Sequence, residues 1–116
     1  TFVWRGIDGA EILAHQMAGR DYNAVNKPAE LARGEANAAR CDQSRAGVWL
    51  QPFGYGDGGG GPTDTSIEFA RLAQRCDGLP RVEFGSVSEF CDALHARRAE
   101  LLAVDDSRKC GGAAIE

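Results

Sequence analysis

The most constraining stretch of this chain is Gly54-Tyr55-Gly56-Asp57-Gly58-Gly59-Gly60-Gly61-Pro62-Thr63. Glycines reach positive φ and let a ligand come close to the backbone, so this run builds a loop. Before it, Val48-Trp49-Leu50-Gln51-Pro52-Phe53 reads as a strand, with Pro52 marking its end or an edge. After it, Pro62-Thr63 opens a helix in which Thr65 and Glu68 have capping-box spacing. Phe69, Leu72, Ala73 and Cys76 recur at helical spacing and predict the buried face. A flexible linker does not usually join a strand to a capped helix. The loop is therefore expected to be structured, at the carboxyl end of a strand where α/β folds bind ligands.

The flanking chain supplies alternating elements. Thr1 to Ile7 is rich in β-branched and aromatic residues, and Asp8-Gly9 predicts a hairpin turn back into Glu11–His15. Residues 16–27 are polar and turn-rich. Pro28 suits the first turn of a helix that runs through Ala29–Cys41, with Leu31, Ala38 and Ala39 as a thin apolar stripe and Gly34 as a cost. Asp42–Gly47 is a polar break. Arg81-Val82-Glu83-Phe84 predicts a short strand, and Ser86 with Glu89 a capping box for a helix to about Leu102, burying Phe90, Leu94 and Leu101. The expected fold class is α/β, with about four strands and three helices and parallel βαβ pairing after the N-terminal hairpin.

Composition excludes several roles. A net charge of -4 argues against nucleic acid, whose phosphates need a basic face. No apolar run approaches a membrane span and no signal peptide opens the chain, so a cytoplasmic location without membrane contact is expected. Cys41, Cys76, Cys91 and Cys110 lie far apart, with only His15 and His95 to help, which suits buried free thiols and no metal site.

The loop admits two chemistries. Gly54-x-Gly56-x-x-Gly59 matches a dinucleotide fingerprint, with Glu83 as a ribose-binding acid. Asp57 would then sit inside a pyrophosphate cradle, where charges repel, and Gly60-Gly61-Pro62 would separate the turn from the helix N-terminus that holds phosphate. The other reading makes Asp57 the point of the loop. A carboxylate among glycines, beside the ring of Tyr55, suits a sugar: the acid meets hydroxyls or a glycosidic oxygen and the ring packs on C–H faces. A noncatalytic carbohydrate-binding domain would use the same groups.

The ten-residue loop, residues 54–63, resembles that of the bacterial-type α-mannosidases of glycoside hydrolase family 38. The opening Phe2-x-Trp4-x-Gly6-x-Asp8-Gly9, then Ile12-Leu13-Ala14-His15 and Tyr22-Asn23, is similar as well. So is Gly78-Leu79-Pro80-Arg81-Val82 followed by Phe84-Gly85 and Glu89-Phe90. The resemblance covers about residues 2 to 95. It implies a retaining, exo-acting α-mannosidase acting on mannose-containing oligosaccharides. One zinc ion grips the terminal mannose, one aspartate is nucleophile and zinc ligand, and a second aspartate is general acid/base. Asp57 matches that acid/base and Tyr22 a sugar-contacting tyrosine. Asn23 stands where some members carry aspartate, and Asp8 is a substrate contact only through the family opening.

The resemblance also implies what is missing. A complete (β/α)8 barrel needs about 250 residues, against 116 here, so a partial (β/α) barrel fragment is expected over residues 1–103. The family's His-x-Asp zinc pair and nucleophile lie upstream of this stretch and its last zinc histidine downstream. No bound zinc and no turnover are therefore expected from this chain alone, and its unpaired strand edges favour oligomers. Residues 104–116 have no periodic pattern and read as a disordered or aberrant tail, of the kind a frameshift or truncation leaves.

Overall fold

A computed structural model describes residues 1–41 and 46–98. Its elements are β1 (Phe2–Arg5), β2 (Glu11–Ala14), α1 (Pro28–Arg40), α2 (Asp64–Ala73) and α3 (Val87–Ala96). The hairpin forms where Asp8-Gly9 predicts it, with Phe2 opposite Ala14 and Trp4 opposite Ile12. Gly6 N donates to Ala10 O at 2.8 Å, Gly9 takes φ 83°, and Asp8 Oδ1 accepts from Ala10 N at 3.0 Å. Alternation then puts Val3 and Leu13 on the half-buried face and Phe2, Trp4 and Ile12 on the exposed one.

The strand count and pairing differ from expectation. The described residues form a mixed α/β arrangement with one two-stranded antiparallel sheet and no βαβ ladder. Within 48–53 only Phe53 pairs, in a single parallel bridge with Ala24; Pro52 lacks a donor that would extend it. Among the described residues no strand pairs with 81–84, and Arg81 and Glu83 instead pair with each other at 2.8 Å in solvent. A segment of strand-like composition needs a neighbour for its backbone groups before it becomes a strand.

The helices begin as polar side chains dictate. In α1, Pro28 occupies the first turn, and the Glu30 carboxylate turns back to accept from Lys27 N at 3.2 Å and Val25 N at 3.0 Å. Leu31, Gly34 and Ala38 face inward. Gly34 is a seat rather than a cost, because the Trp49 ring occupies the space a Cβ would need. In α2 the cap is Thr63, not Thr65: Thr63 Oγ1 accepts from Ser66 N at 3.2 Å and Ser66 Oγ accepts from Thr63 N at 3.0 Å. The buried face is correspondingly Ser66, Ala70 and Ala73, while Leu72 and Cys76 are exposed and Phe69 half-buried. Beside this face Asn26, itself buried, donates from Nδ2 to Ser66 O at 3.3 Å and ties residue 26 to the first turn of α2.

Ser86 and Glu89 form the expected box at α3. Ser86 N donates to Glu89 Oε2 at 2.7 Å and Ser86 Oγ to the same oxygen at 2.9 Å, which together hold the Glu89 carboxyl below its usual range. Leu94 is buried and Phe90 half-buried. α3 ends at Ala96; Leu101 and residues 104–116 lie outside the described residues. Cys76 and Cys91 are exposed and Cys41 half-buried, so the expectation of buried thiols is corrected for all three.

Candidate functional site

The glycine run is a closed loop tied to residues 21–24. At its neck, Tyr55 N donates to Gly61 O and Gly61 N to Tyr55 O, both at 2.8 Å. Gly54 enters this neck at φ 99°, and a Cβ on it would stand 2.6–2.8 Å from the backbone of Gly61 and Pro62. Only glycine fits there. Beyond the neck, Gly59 N donates to Gly56 O at 3.3 Å, and Gly58 and Gly59 take φ 79° and 76°. Asp57 sits at the exposed tip.

Residues 21–24 hold one flank of the loop. Ala24 O accepts from Gly54 N at 3.0 Å and Asn23 Oδ1 accepts from Gly56 N at 2.7 Å. The Tyr22 hydroxyl faces Asp57 Oδ2 at 3.5 Å, longer than an ordinary O–H···O bond. That distance leaves the carboxylate open to another donor. The Tyr22 and Tyr55 side chains both remain 56% exposed, enough ring surface to pack on a ligand.

The structure thus gathers Tyr22, Asn23, Tyr55 and Asp57, which are up to 35 positions apart in the chain. Asp8 is not joined to them by any hydrogen bond among the described residues; its carboxylate closes the hairpin turn. Asp21, which the sequence marks as a turn former and not as a site residue, accepts at Oδ1 from Asn23 N at 2.8 Å. The spacing Asp-x-Asn is a recognisable Asx-turn signal.

The arrangement offers one carboxyl able to donate or accept a proton, flanked by two phenols and backbone N–H groups. Among the described residues no group of three or more His, Cys, Asp or Glu gathers as a metal cage requires. The zinc implied by the resemblance finds no matching donor set among the described residues. His15 serves packing: Nε2 accepts from Leu50 N at 3.3 Å, Nδ1 meets Thr1 Oγ1 at 2.9 Å, and the ring meets Phe90 edge-on. Burial, and then the N-terminal amine, lower its pKa to about 4. His95 is exposed on α3.

Comparison with known proteins places the chain in a family. Residues 1–108 match the model for the glycosyl hydrolases family 38 N-terminal domain. The human alpha-mannosidase 2C1 is 37% identical over 101 residues, covering 87% of this chain and 10% of the human protein. Alpha-mannosidase G of Dictyostelium discoideum is 34% identical over 101 residues, covering 87% of this chain and 9% of that protein. The alpha-mannosidase of Saccharomyces cerevisiae is 31% identical over 103 residues, covering 84% and 9%. The chain spans about a tenth of the length of these relatives. With the match extending across nearly its whole length, the chain belongs to glycosyl hydrolase family 38, as a stretch of the family's N-terminal domain.

Proposed function

We propose that this chain is the acid/base-loop portion of a retaining, zinc-dependent α-mannosidase acting on mannose-containing oligosaccharides. The observation that carries this reading is Asp57, held at the tip of a closed glycine loop with its carboxylate open and the rings of Tyr22 and Tyr55 exposed beside it. In a retaining reaction two carboxyl groups stand about 5–5.5 Å apart, one as nucleophile and one as acid/base. Asp57 takes the second role. Its carboxyl protonates the departing glycosidic oxygen, and the resulting carboxylate then removes a proton from the incoming water. The tyrosine rings pack on the C–H faces of the sugar and limit its orientations.

The nucleophile and the zinc ligands belong to other parts of the same enzyme, so the isolated chain has no turnover. A nucleotide-binding reading loses its frame: the glycine run closes on itself through Tyr55 and Gly61, and Thr63 caps α2 from its own side chain. The exposed thiols of Cys76 and Cys91 suit a reducing, cytoplasmic compartment as part of the same reading.

Titration of the labelled 116-residue chain with methyl α-mannoside is expected to move the NMR resonances of Tyr22, Tyr55 and Asp57, with methyl α-glucoside moving them less. Equal or absent responses to the two sugars would sink the mannose assignment. An aryl α-mannoside assay with added zinc is expected to show no product. Turnover that Asp57→Asn abolished would overturn the inactivity of the isolated chain.

A further inference from the structure

We propose that Asn23 is a positioning residue that acts on Asp57 through the backbone of the glycine loop, with Asp21 holding Asn23 for that task. The inference rests on the reading of Asp57 as the acid/base, but it assigns Asn23 a role other than contact with the sugar.

The loop has a mechanical difficulty. Gly58, Gly59 and Gly61 all take positive φ and have no heavy atom within 4 Å of where a Cβ would lie. On that side of Asp57 the chain is held by the loop's own backbone bonds, the Tyr55–Gly61 pair and the longer Gly59 N to Gly56 O, and glycine backbones have many accessible states. A group that transfers a proton must nonetheless be held to within a fraction of an ångström of its working position. A restraint anchored outside the loop enters through the residue before Asp57.

Gly56 provides it. Its N–H, exposed and free to bond with water, instead donates to Asn23 Oδ1 at 2.7 Å. Because the partner is an N–H donor, the atom facing it is the amide carbonyl oxygen. The orientation of the Asn23 side chain is thereby set, and that oxygen is engaged by the loop. Asn23 is itself anchored, since its N–H donates to Asp21 Oδ1 at 2.8 Å. A Cβ on Gly56 would lie 3.3 Å from Asn23 Oδ1 and 3.5 Å from the Tyr22 ring, so the two segments are in close contact. The neighbours of Asn23 work in parallel: Ala24 O takes Gly54 N and the Tyr22 hydroxyl faces Asp57. One short turn, residues 21–24, thus grips the loop at Gly54, Gly56 and Asp57.

The test is amide exchange and NMR of the full chain with Asn23→Ala, which removes the acceptor, and Asn23→Asp, which keeps one. In Asn23→Ala the Gly56 amide is expected to exchange about tenfold faster, the equivalent of about 1.4 kcal/mol, while amides in the middle of α1 and α2 keep their rates. In Asn23→Asp the protection returns, and the Gly56 amide shift follows the titration of the new carboxylate. An unchanged Gly56 rate in Asn23→Ala would overturn the proposal. Should Asn23→Ala fail to fold, Asn23→Asp decides alone: a Gly56 shift that ignores the carboxylate titration overturns it. The Gly56 readout involves no sugar, so it can fail or succeed independently of the mannoside titration.

Discussion

His15 shows how one side chain couples the hairpin to the rest of the chain. Its Nε2 takes the Leu50 N–H while the ring rests on Phe90, so β2, the 48–53 segment and α3 meet at one imidazole. Only the neutral ring can accept that bond. Burial, with the N-terminal amine, lowers the folded-state pKa from 6.5 to about 4, so the unfolded chain binds the extra proton between those values. Stability is complete above pH 6.5 and falls as the pH drops toward 4. Partial exposure of the ring reduces the effect to about 1–2 kcal/mol. Melting temperatures measured across this window are expected to decline on acidification, and His15→Gln is expected to flatten the decline. An equal decline in the variant would remove His15 as its cause. At Gly34 a glycine inside a helix costs stability on propensity alone, but the Trp49 ring that fills its place comes from 15 residues away.

At the scale of elements, helix starts were legible and their faces less so. The Ser86–Glu89 box is seen as the sequence reads it, because both partners lie within one turn and need nothing else. For α2 the sequence reads Thr65 with Glu68, and the structure instead uses Thr63 with Ser66. The reason is tertiary: Asn26 fixes Ser66 by its carbonyl, which turns Ala70 and Ala73 inward and leaves Leu72 57% exposed. Thr63→Ala is therefore expected to destabilise by about 1 kcal/mol, the usual value of a lost cap. Thr65→Ala, at an exposed helical position, is expected to be neutral or slightly stabilising. Denaturant melts of the pair check this, and the reverse order would restore the phase read from the sequence. The missing strands follow the same logic. Composition marks 48–53 and 81–84 as strand-like, but a ladder needs an adjacent backbone, and among the described residues only Ala24 supplies one, to Phe53.

Among the described residues the apolar side chains are distributed unevenly. Those that the described structure buries are Leu31, Leu94 and alanines such as Ala24, Ala46 and Ala70, whereas Trp4, Ile12, Leu72 and Val87 are each more than half exposed. Alanines bury little area, and stability scales with apolar area removed from water. A cavity of about 300 Å³, lined by Leu13, His15, Met17, Leu50, Phe90 and Leu94 among others, also opens between the hairpin and α3. A core so small sits uneasily beside so large an exposed apolar surface. The isolated chain is expected to melt broadly and to sediment with concentration-dependent mass. A sharp, reversible melt from a strict monomer in analytical ultracentrifugation would contradict this.

By itself the sequence determined what depends on neighbours along the chain: the Asp8-Gly9 hairpin, the cap of α3, the glycine loop and the family that its ten residues identify. It also named Asp57, Tyr22, Asn23 and Tyr55, though by resemblance and local chemistry rather than by proximity. Tertiary structure alone decided that residues 21–24 lie against 53–57 and that α2 buries Ala70 and Ala73 while Leu72 is exposed. The physical reason is one of range. Turns and caps are closed by hydrogen bonds between residues a few positions apart, which a sequence displays. The grip of Asn23 on Gly56 spans 33 positions and exists only once the chain has folded back on itself.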